Sequence, residues 1–276
     1  MSIRLIALDM DGTTLQNDHE SISPRTEKAL RSAISRGILV VPATGRLECL
    51  LPPSVMGIGG IRYAVASNGA IIYDLQSGDV MHSSYLTQDK TMELLHELKP
   101  ENTLIEIFQN GKIIAEKQSL NSALTDHIPV FRRNLLLDFH ILVDSLPEHI
   151  REHGDRIEKI NLSFVDPERR EGLWKQLTDL GEVVLTSSIP DNIEINEIHA
   201  NKGSALKRLC DSLDIAPQEV MAFGDNGNDI EMLKYADWSF APANGTDAAK
   251  AAAKRVTAAN DEDGVAIAIE AYALNK

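Results

Sequence analysis

The sequence predicts an α/β protein: a parallel sheet flanked by helices, interrupted by a second, inserted α/β domain. Three observations predict it. Short apolar runs at Leu5–Leu8, Ile38–Val41, Tyr63–Ala66 and Val220–Phe223 each stop abruptly in a polar or glycine-containing turn, as strands buried on both faces do. Amphipathic helical patterns separate the runs at the start and end of the chain. In between the pattern changes, with an Asn110-Gly111 hairpin signal joining Thr103–Phe108 to Lys112–Glu116. The expected division is 1–84 with 191–276 as the main domain and 85–190 as the insertion.

Leu5–Leu8 ends on two carboxylates, Asp9 and Asp11, before Gly12 and Thr13 turn the chain. Gln16–Ser21 reads as a polar loop. Ser23 and Pro24 form an N-cap and first helical residue, Leu30, Ala33 and Ile34 form the buried stripe, and Gly37 ends the helix. The strand Ile38–Val41 follows, running into Pro42-Ala43-Thr44-Gly45-Arg46, and a right-handed crossover places Thr44 beside Asp9. Leu50–Gly60 reads as loosely structured. Tyr63–Ala66 is a strand, and Ala70–Tyr73 with Val80–Ser83 a small hairpin. In the insertion, a helix is expected over Gln88–Leu98, strands at Phe139–Val143, Ile157–Val165 and Glu182–Thr186, and a helix from Pro167 to Leu180; Leu120–Leu136 is ambiguous. From Asn192 the first pattern resumes. Asn201 caps a helix with stripe Leu206, Leu209, Cys210 and Leu213, and Val220–Phe223 runs into Gly224-Asp225-Asn226-Gly227-Asn228-Asp229. Helices starting at Ile230, near Thr246–Lys254 and at Gly264, with strands at Trp238–Phe240 and Val256, complete the chain.

The 276 residues carry 27 Lys and Arg against 41 Asp and Glu, net −14. That balance argues against general affinity for nucleic acid or an anionic membrane. Cys49 and Cys210 stand far apart with no metal-like spacing, which argues against a disulfide scaffold and a structural zinc site. No basic leader precedes the first strand and no run reaches a membrane span, so a cytoplasmic location is expected.

Chemistry in parallel sheets lies just past the carboxyl ends of the strands, where Asp9, Asp11, Thr44 and Asp225 fall. Two carboxylates this close repel unless a cation or shared proton intervenes, and a hard divalent cation, Mg2+ for preference, suits oxygen ligands. Together with Lys202 they form a phosphate-handling set. Asp9 is read as a nucleophile attacking phosphorus and Asp11 as the acid and base serving the leaving oxygen and then water. Thr44 donates to a phosphoryl oxygen, or is only a turn former; Lys202 adds positive charge, or is a solvated helix lysine. Asp225 completes a metal shell with Asp9 and the main-chain carbonyl of Asp11. Asn228 and Asp229 orient that shell or hold Lys202. Gly12, Gly45 and Arg46 are placed as substrate contacts, with a surface role for Arg46 equally open.

The segments Asp9-Met10-Asp11-Gly12-Thr13-Thr14-Leu15, Ala43-Thr44-Gly45-Arg46, Asn201-Lys202-Gly203 and Gly224-Asp225-Asn226-Gly227-Asn228-Asp229 occur in an order and spacing that resembles the haloacid dehalogenase superfamily, specifically its Cof-type phosphatases. Asn260-Asp261-Glu262-Asp263-Gly264-Val265 is similar to the family's last loop. The resemblance spans the chain. It implies a Rossmann-like, doubly wound core, a large α/β (type IIB) cap between the second and third motifs, and Mg2+-dependent hydrolysis of phosphomonoesters with the residue roles given above. Thr14 stands where many relatives have leucine. Phe240-Ala241-Pro242-Ala243-Asn244-Gly245 departs from the usual stretch near the cleft, so the pocket rim is expected to differ.

His149-Ile150-Arg151-Glu152-His153 matches a zinc-peptidase pattern, but Gly154 follows at once and no third ligand is evident. Gly57–Gly60 lacks the Lys-Ser/Thr of a nucleotide-binding loop. The leading expectation is a phosphatase of a small phosphorylated metabolite, most plausibly a sugar phosphate. The alternatives are a phosphotransferase or mutase using the same aspartyl phosphate, and a noncatalytic phosphoacceptor or phosphate-binding module, against which Asp11 argues. Oligomeric state is left open.

Overall fold

A computed structural model describes residues 2–98, 103–119, 140–189 and 191–275. The chain divides into two units, Met1–Ser83 with Ala200–Lys276, and Ser84–His199. The first begins with β1 (Leu5–Leu8), α1 (Pro24–Ser35), β2 (Leu39–Pro42), the short α2 (Pro53–Met56), β3 (Tyr63–Ala66), β4 (Ile71–Asp74) and β5 (Asp79–Ser83). The second holds α3 (Gln88–Glu97), β6 (Leu104–Gln109), β7 (Lys112–Glu116), β8 (His140–Val143), α4 (Leu146–His153), β9 (Ile157–Ser163), α5 (Pro167–Asp179), β10 (Val183–Thr186) and β11 (Asn192–Glu197). The first then resumes with α6 (Lys202–Ser212), β12 (Val220–Phe223), α7 (Ile230–Tyr235), β13 (Trp238–Pro242), α8 (Asp247–Ala252), β14 (Arg255–Thr257) and α9 (Gly264–Ile269).

In the first unit five strands lie in the order β14-β13-β12-β1-β2, every pair parallel. The strands are apolar throughout because both faces are covered. Ile6, Leu8, Val40, Met221 and Phe223 pack with Ala29, Leu30 and Ala33 of α1 and with Val265, Ala266 and Ile269 of α9. Alternate residues Leu5, Ala7, Val41, Val220 and Ala222 pack with Ala205, Leu206, Leu209 and Cys210 of α6. One pleat thus feeds two helical layers, the doubly wound arrangement. Ser23 caps α1 through the Thr26 N–H, with Pro24 first in the helix. A parallel bridge from Ala43 to Val65 leads to the antiparallel β3-β4-β5. Pro53 opens a turn of helix within the stretch expected to be loose, since its fixed φ suits a first helical position.

The second unit has one six-stranded sheet, β10-β11-β9-β6-β7-β8, antiparallel except for β7 beside β8. Asn110 and Gly111 both adopt positive φ in the β6–β7 hairpin, as a two-residue turn of that sequence requires. Leu94, Leu146, Ile150 and Leu177 from the helices cover one face, against Ile107, Ile114, Leu162, Ile193 and Ile195. The other face is polar yet buried. Glu106 accepts from Asn161 and Ser163 at 2.6 and 2.7 Å and lies 2.9 Å from the His140 ring, while Lys159 pairs with Glu194.

One expected boundary moves. Asn192–Glu197, assigned from the sequence to the main domain, is the strand between β10 and β9 in the second unit's sheet. Its Ile193 and Ile195 alternate with polar residues, which is the pattern of a strand with one apolar face. The ambiguous 120–136 falls outside the described residues.

Candidate active site

The strands β1 and β12 are neighbours, with β2 on the far side of β1 and β13 beyond β12. The strand order reverses between them, and open α/β sheets bind ligands at such a point, beyond the carboxyl ends. Asp9 is the first residue past β1, 6 % exposed, and its N–H donates to the Phe223 carbonyl at 3.0 Å. A wide, kinked turn, Met10–Thr14, follows. Leu15 N–H closes it on the Met10 carbonyl at 2.9 Å, and Thr14 Oγ1 donates to the Asp9 carbonyl at 2.6 Å. Gly12 sits there at φ +73°, and a Cβ on it would come within 2.7 Å of an Asp225 oxygen. No other residue meets both demands.

Lys202 is the first residue of α6, whose N-cap Asn201 accepts from the Ser204 N–H at 2.8 Å. Its Nζ, fully buried, lies 2.5 Å from Asp9 Oδ1 and 2.7 Å from Asp229 Oδ1. Asp229 is occupied on its other oxygen too, accepting from the N–H groups of Asp225 and Asn226 at 2.9 and 3.1 Å. Asp225, one residue beyond the Gly224 that follows β12, accepts from Thr13 Oγ1 at 2.8 Å. Asn228 donates to Asn68 at 3.1 Å.

Ligand atoms of Asp9, Asp225 and Asp229 lie within 4.8 Å of one another. Three carboxylates thus face one ammonium. Burial and the neighbouring Asp229 raise Asp9 well above the ordinary carboxylate range. The same two causes push Asp225 up to about 6. Burial alone would lower Lys202, but Asp229 and Asp9 hold it protonated, above its usual value. The excess negative charge is what a divalent cation would neutralise. Asp9 and Asp225 each keep a second oxygen beyond their bonds to Lys202 and Thr13, so the donor set fits a hard cation. Asp229 is held by Lys202 and by the backbone amides of Asp225 and Asn226.

Asp11 is placed apart from this cluster. Arg46 grips both of its oxygens, Nε at 2.8 Å and Nη2 at 2.5 Å, and the His19 ring lies 2.9 Å away. Burial works to raise its pKa, but the bonds from His19 and Arg46 win and bring it to about 2. Thr44 is buried just past β2, its Oγ1 accepting from the Arg46 N–H at 3.0 Å. Ala43 N–H donates to the Leu8 carbonyl at 2.7 Å, so Thr44 leaves the same edge of the sheet as Asp9. Gly45 is half-buried in the turn between Thr44 and Arg46.

A haloacid dehalogenase-like hydrolase family model matches residues 6–269. The chain belongs to this family. A Bacillus subtilis protein named "Phosphatase YwpJ" is 32 % identical over 282 residues, covering 96 % of this chain and 98 % of its own length. A second from that organism, "5-amino-6-(5-phospho-D-ribitylamino)uracil phosphatase YcsE", is 30 % identical, with 99 % and 97 % covered. The solved structure of a haloacid dehalogenase-like hydrolase from B. subtilis superposes with TM-score 0.82 at 30 % identity, covering 97 % of this chain and 99 % of that one. The parallel core and the separate, mainly antiparallel sheet are this hydrolase family's architecture.

Sequence reasoning missed His19, which lies in a polar loop with no periodicity to mark it. Thr13 and Asn68 also reach the site residues. The buried polar face of the second sheet was legible in principle, because Glu106, Lys159-Asn161-Ser163 and Asn192-Glu194-Asn196 alternate with isoleucine and leucine. The pair His149 and His153 does lie on one helix, but His149 Nε2 is 2.9 Å from Gln109 Oε1. No described helix is long and apolar enough to cross a membrane.

Proposed function

We propose that this chain is a Mg2+-dependent phosphomonoester hydrolase acting on a small phosphorylated metabolite, a sugar or polyol phosphate, through a phosphoaspartate. The observation that carries the reading is a buried Asp9, oriented by Lys202 and facing Asp225, where the strand order reverses. Asp9 attacks phosphorus and forms the acyl phosphate as the alcohol leaves. Asp11 protonates the leaving oxygen, and its carboxylate then removes a proton from the water that cleaves the intermediate. In the resting geometry Asp11 is the base form, so proton donation requires its release from Arg46 and uptake of a proton from solvent before the alcohol leaves. Thr44 and Lys202 donate to the phosphoryl oxygens. Asp9, Asp225 and the main-chain carbonyl of Asp11 would hold Mg2+, which would supply positive charge to offset those oxygens. Asn228 and Asp229 support the set, and Gly12, Gly45 and Arg46 are substrate contacts.

The first unit is proposed as catalytic and the inserted unit as the cap that selects substrate. The ribityl phosphate in the name of the 30 % identical relative favours a polyhydroxylated leaving group. The charge of −14 speaks against nucleic-acid and membrane partners.

Phosphate release from sugar, polyol and cofactor phosphates, with Mg2+ and with chelator, beside Asp9→Asn, tests the reading. Metal-dependent release by the native chain and none by the variant is the expected result. Absence of release from every ester, an activated aryl phosphate included, would sink it.

A further inference from the structure

Asp11 is held on two sides, and only one of them, Arg46, was marked by the sequence. The other is His19. Its Nδ1 lies 2.9 Å from Asp11 Oδ1; a carboxylate has no proton to give there, so the ring nitrogen donates. The His19 carbonyl accepts from Arg46 Nη2 at 3.0 Å, the nitrogen that also holds Asp11 Oδ1. One residue therefore fixes the carboxylate directly with its side chain and indirectly with its backbone.

The loop is built to present it. His19 has φ +61°, a region that non-glycine residues enter at a cost and keep only when their surroundings over-determine it. The surroundings do so: His19 N–H donates to the Gln16 carbonyl at 3.0 Å, and Gln16 N–H to the Ser21 carbonyl at 2.8 Å. Asp18 accepts from the N–H groups of Glu20 and Ser21 at 3.0 and 2.9 Å, and Gln16 Nε2 anchors the loop on the Asn260 carbonyl at 3.1 Å.

We propose that His19 is a positioning residue for Asp11, setting the orientation from which that carboxylate exchanges protons. The proposal rests on the reading of Asp11 as the acid and base. It predicts a specific defect. Without His19 the first half-reaction on a good leaving group, which needs little acid assistance, proceeds, while activation of water in the second half slows.

The test compares the native chain with His19→Ala and His19→Asn on p-nitrophenyl phosphate and on an alkyl phosphate. In His19→Ala the steady-state rate should fall about tenfold, a fraction of what proton transfer supplies, and a stoichiometric burst of nitrophenol should appear as phosphoaspartate accumulates. The alkyl phosphate should show the loss without a burst. Asn places an amide nitrogen near the Nδ1 position and tolerates positive φ, so His19→Asn should recover most of the rate. Native rates in His19→Ala overturn the proposal. So does an equal loss in both variants, without a burst, tracking a fall in thermal stability. An inactive native chain would instead overturn the reading of Asp11, and this proposal with it.

Discussion

Lys202 shows how far a single residue is decided by its surroundings. Read alone it is a lysine opening a helix, and only beside the carboxylate motifs does the sequence place it in the phosphate-handling set; in the structure it is fully buried between Asp9 and Asp229. Its partners come from 193 residues upstream and 27 downstream, a juxtaposition that no local pattern reveals. Asp9 and Asp225 were more legible, because a carboxylate emerging directly from a buried apolar run has to be used or neutralised. Lys202→Met leaves two carboxylates buried without their counter-charge. It should cost about 3–5 kcal/mol in denaturant unfolding and lower kcat by roughly 10²–10³. Chelated protein should also show a particular pH response. Asp225 titrates at about 6 when folded against an ordinary 3.8, so between those values the folded chain keeps a proton that the unfolded chain releases. Stability from this group therefore falls as pH rises from about 4 to about 6. His19, raised by its bond to Asp11, contributes stability below 6.5 that is lost as pH rises through its folded pKa. Asp11, lowered to about 2, works the other way, its contribution disappearing only as pH falls below about 4. Thermal unfolding across pH 4–8 with chelator should show the decline, and Mg2+ should flatten its lower part by replacing the proton. A curve identical with and without Mg2+ would contradict a cation between Asp9 and Asp225.

The elements were read well where periodicity and punctuation agreed. The strands β1, β3 and β12, the Ser23-Pro24 start of α1 and the Asn201 cap of α6 all fall where the sequence puts them. β11 was misplaced for a physical reason: Ile193 and Ile195 alternate with the polar Asn192, Glu194 and Asn196, which gives the strand one apolar and one polar face, whereas the core strands here are apolar on both. The helix α6 carries the site through one further contact that sequence alone hides. Gly203, beside Lys202, packs so closely on α7 that a Cβ would lie 2.5 Å from the Glu231 carbonyl carbon. Backbone cannot yield as a side-chain tip can. Gly203→Ala should therefore cost about 1–3 kcal/mol and shift Lys202 relative to Asp9. Urea unfolding and kcat measured together check this: both should fall, and native stability in the variant would show that the two helices can separate freely.

At the scale of the whole chain, all the proposed catalytic groups (Asp9, Asp11, Thr44, Lys202) and the proposed metal ligand Asp225 belong to the first unit, which the insertion interrupts between Ser83 and Ala200. The two ends of that interruption are close within the unit itself. Ser83 pairs with Ile71, and Gly69, two residues earlier, packs against the backbone of Asn201. A flexible Gly/Ser linker of about six residues spans such a gap. The parallel sheet has its own two-faced core, drawn from residues of the first unit alone, so it does not need the insertion to bury its apolar surface. Replacing residues 84–199 with that linker should leave a folded α/β protein that hydrolyses p-nitrophenyl phosphate with Mg2+. Its kcat/KM values across sugar, polyol and cofactor phosphates should converge, because the groups proposed to select among them have been removed. Circular dichroism with cooperative unfolding reports the first outcome and the substrate panel the second. A folded variant that keeps the native ranking of esters would move substrate selection into the first unit, to Arg46 and the turn around Gly45.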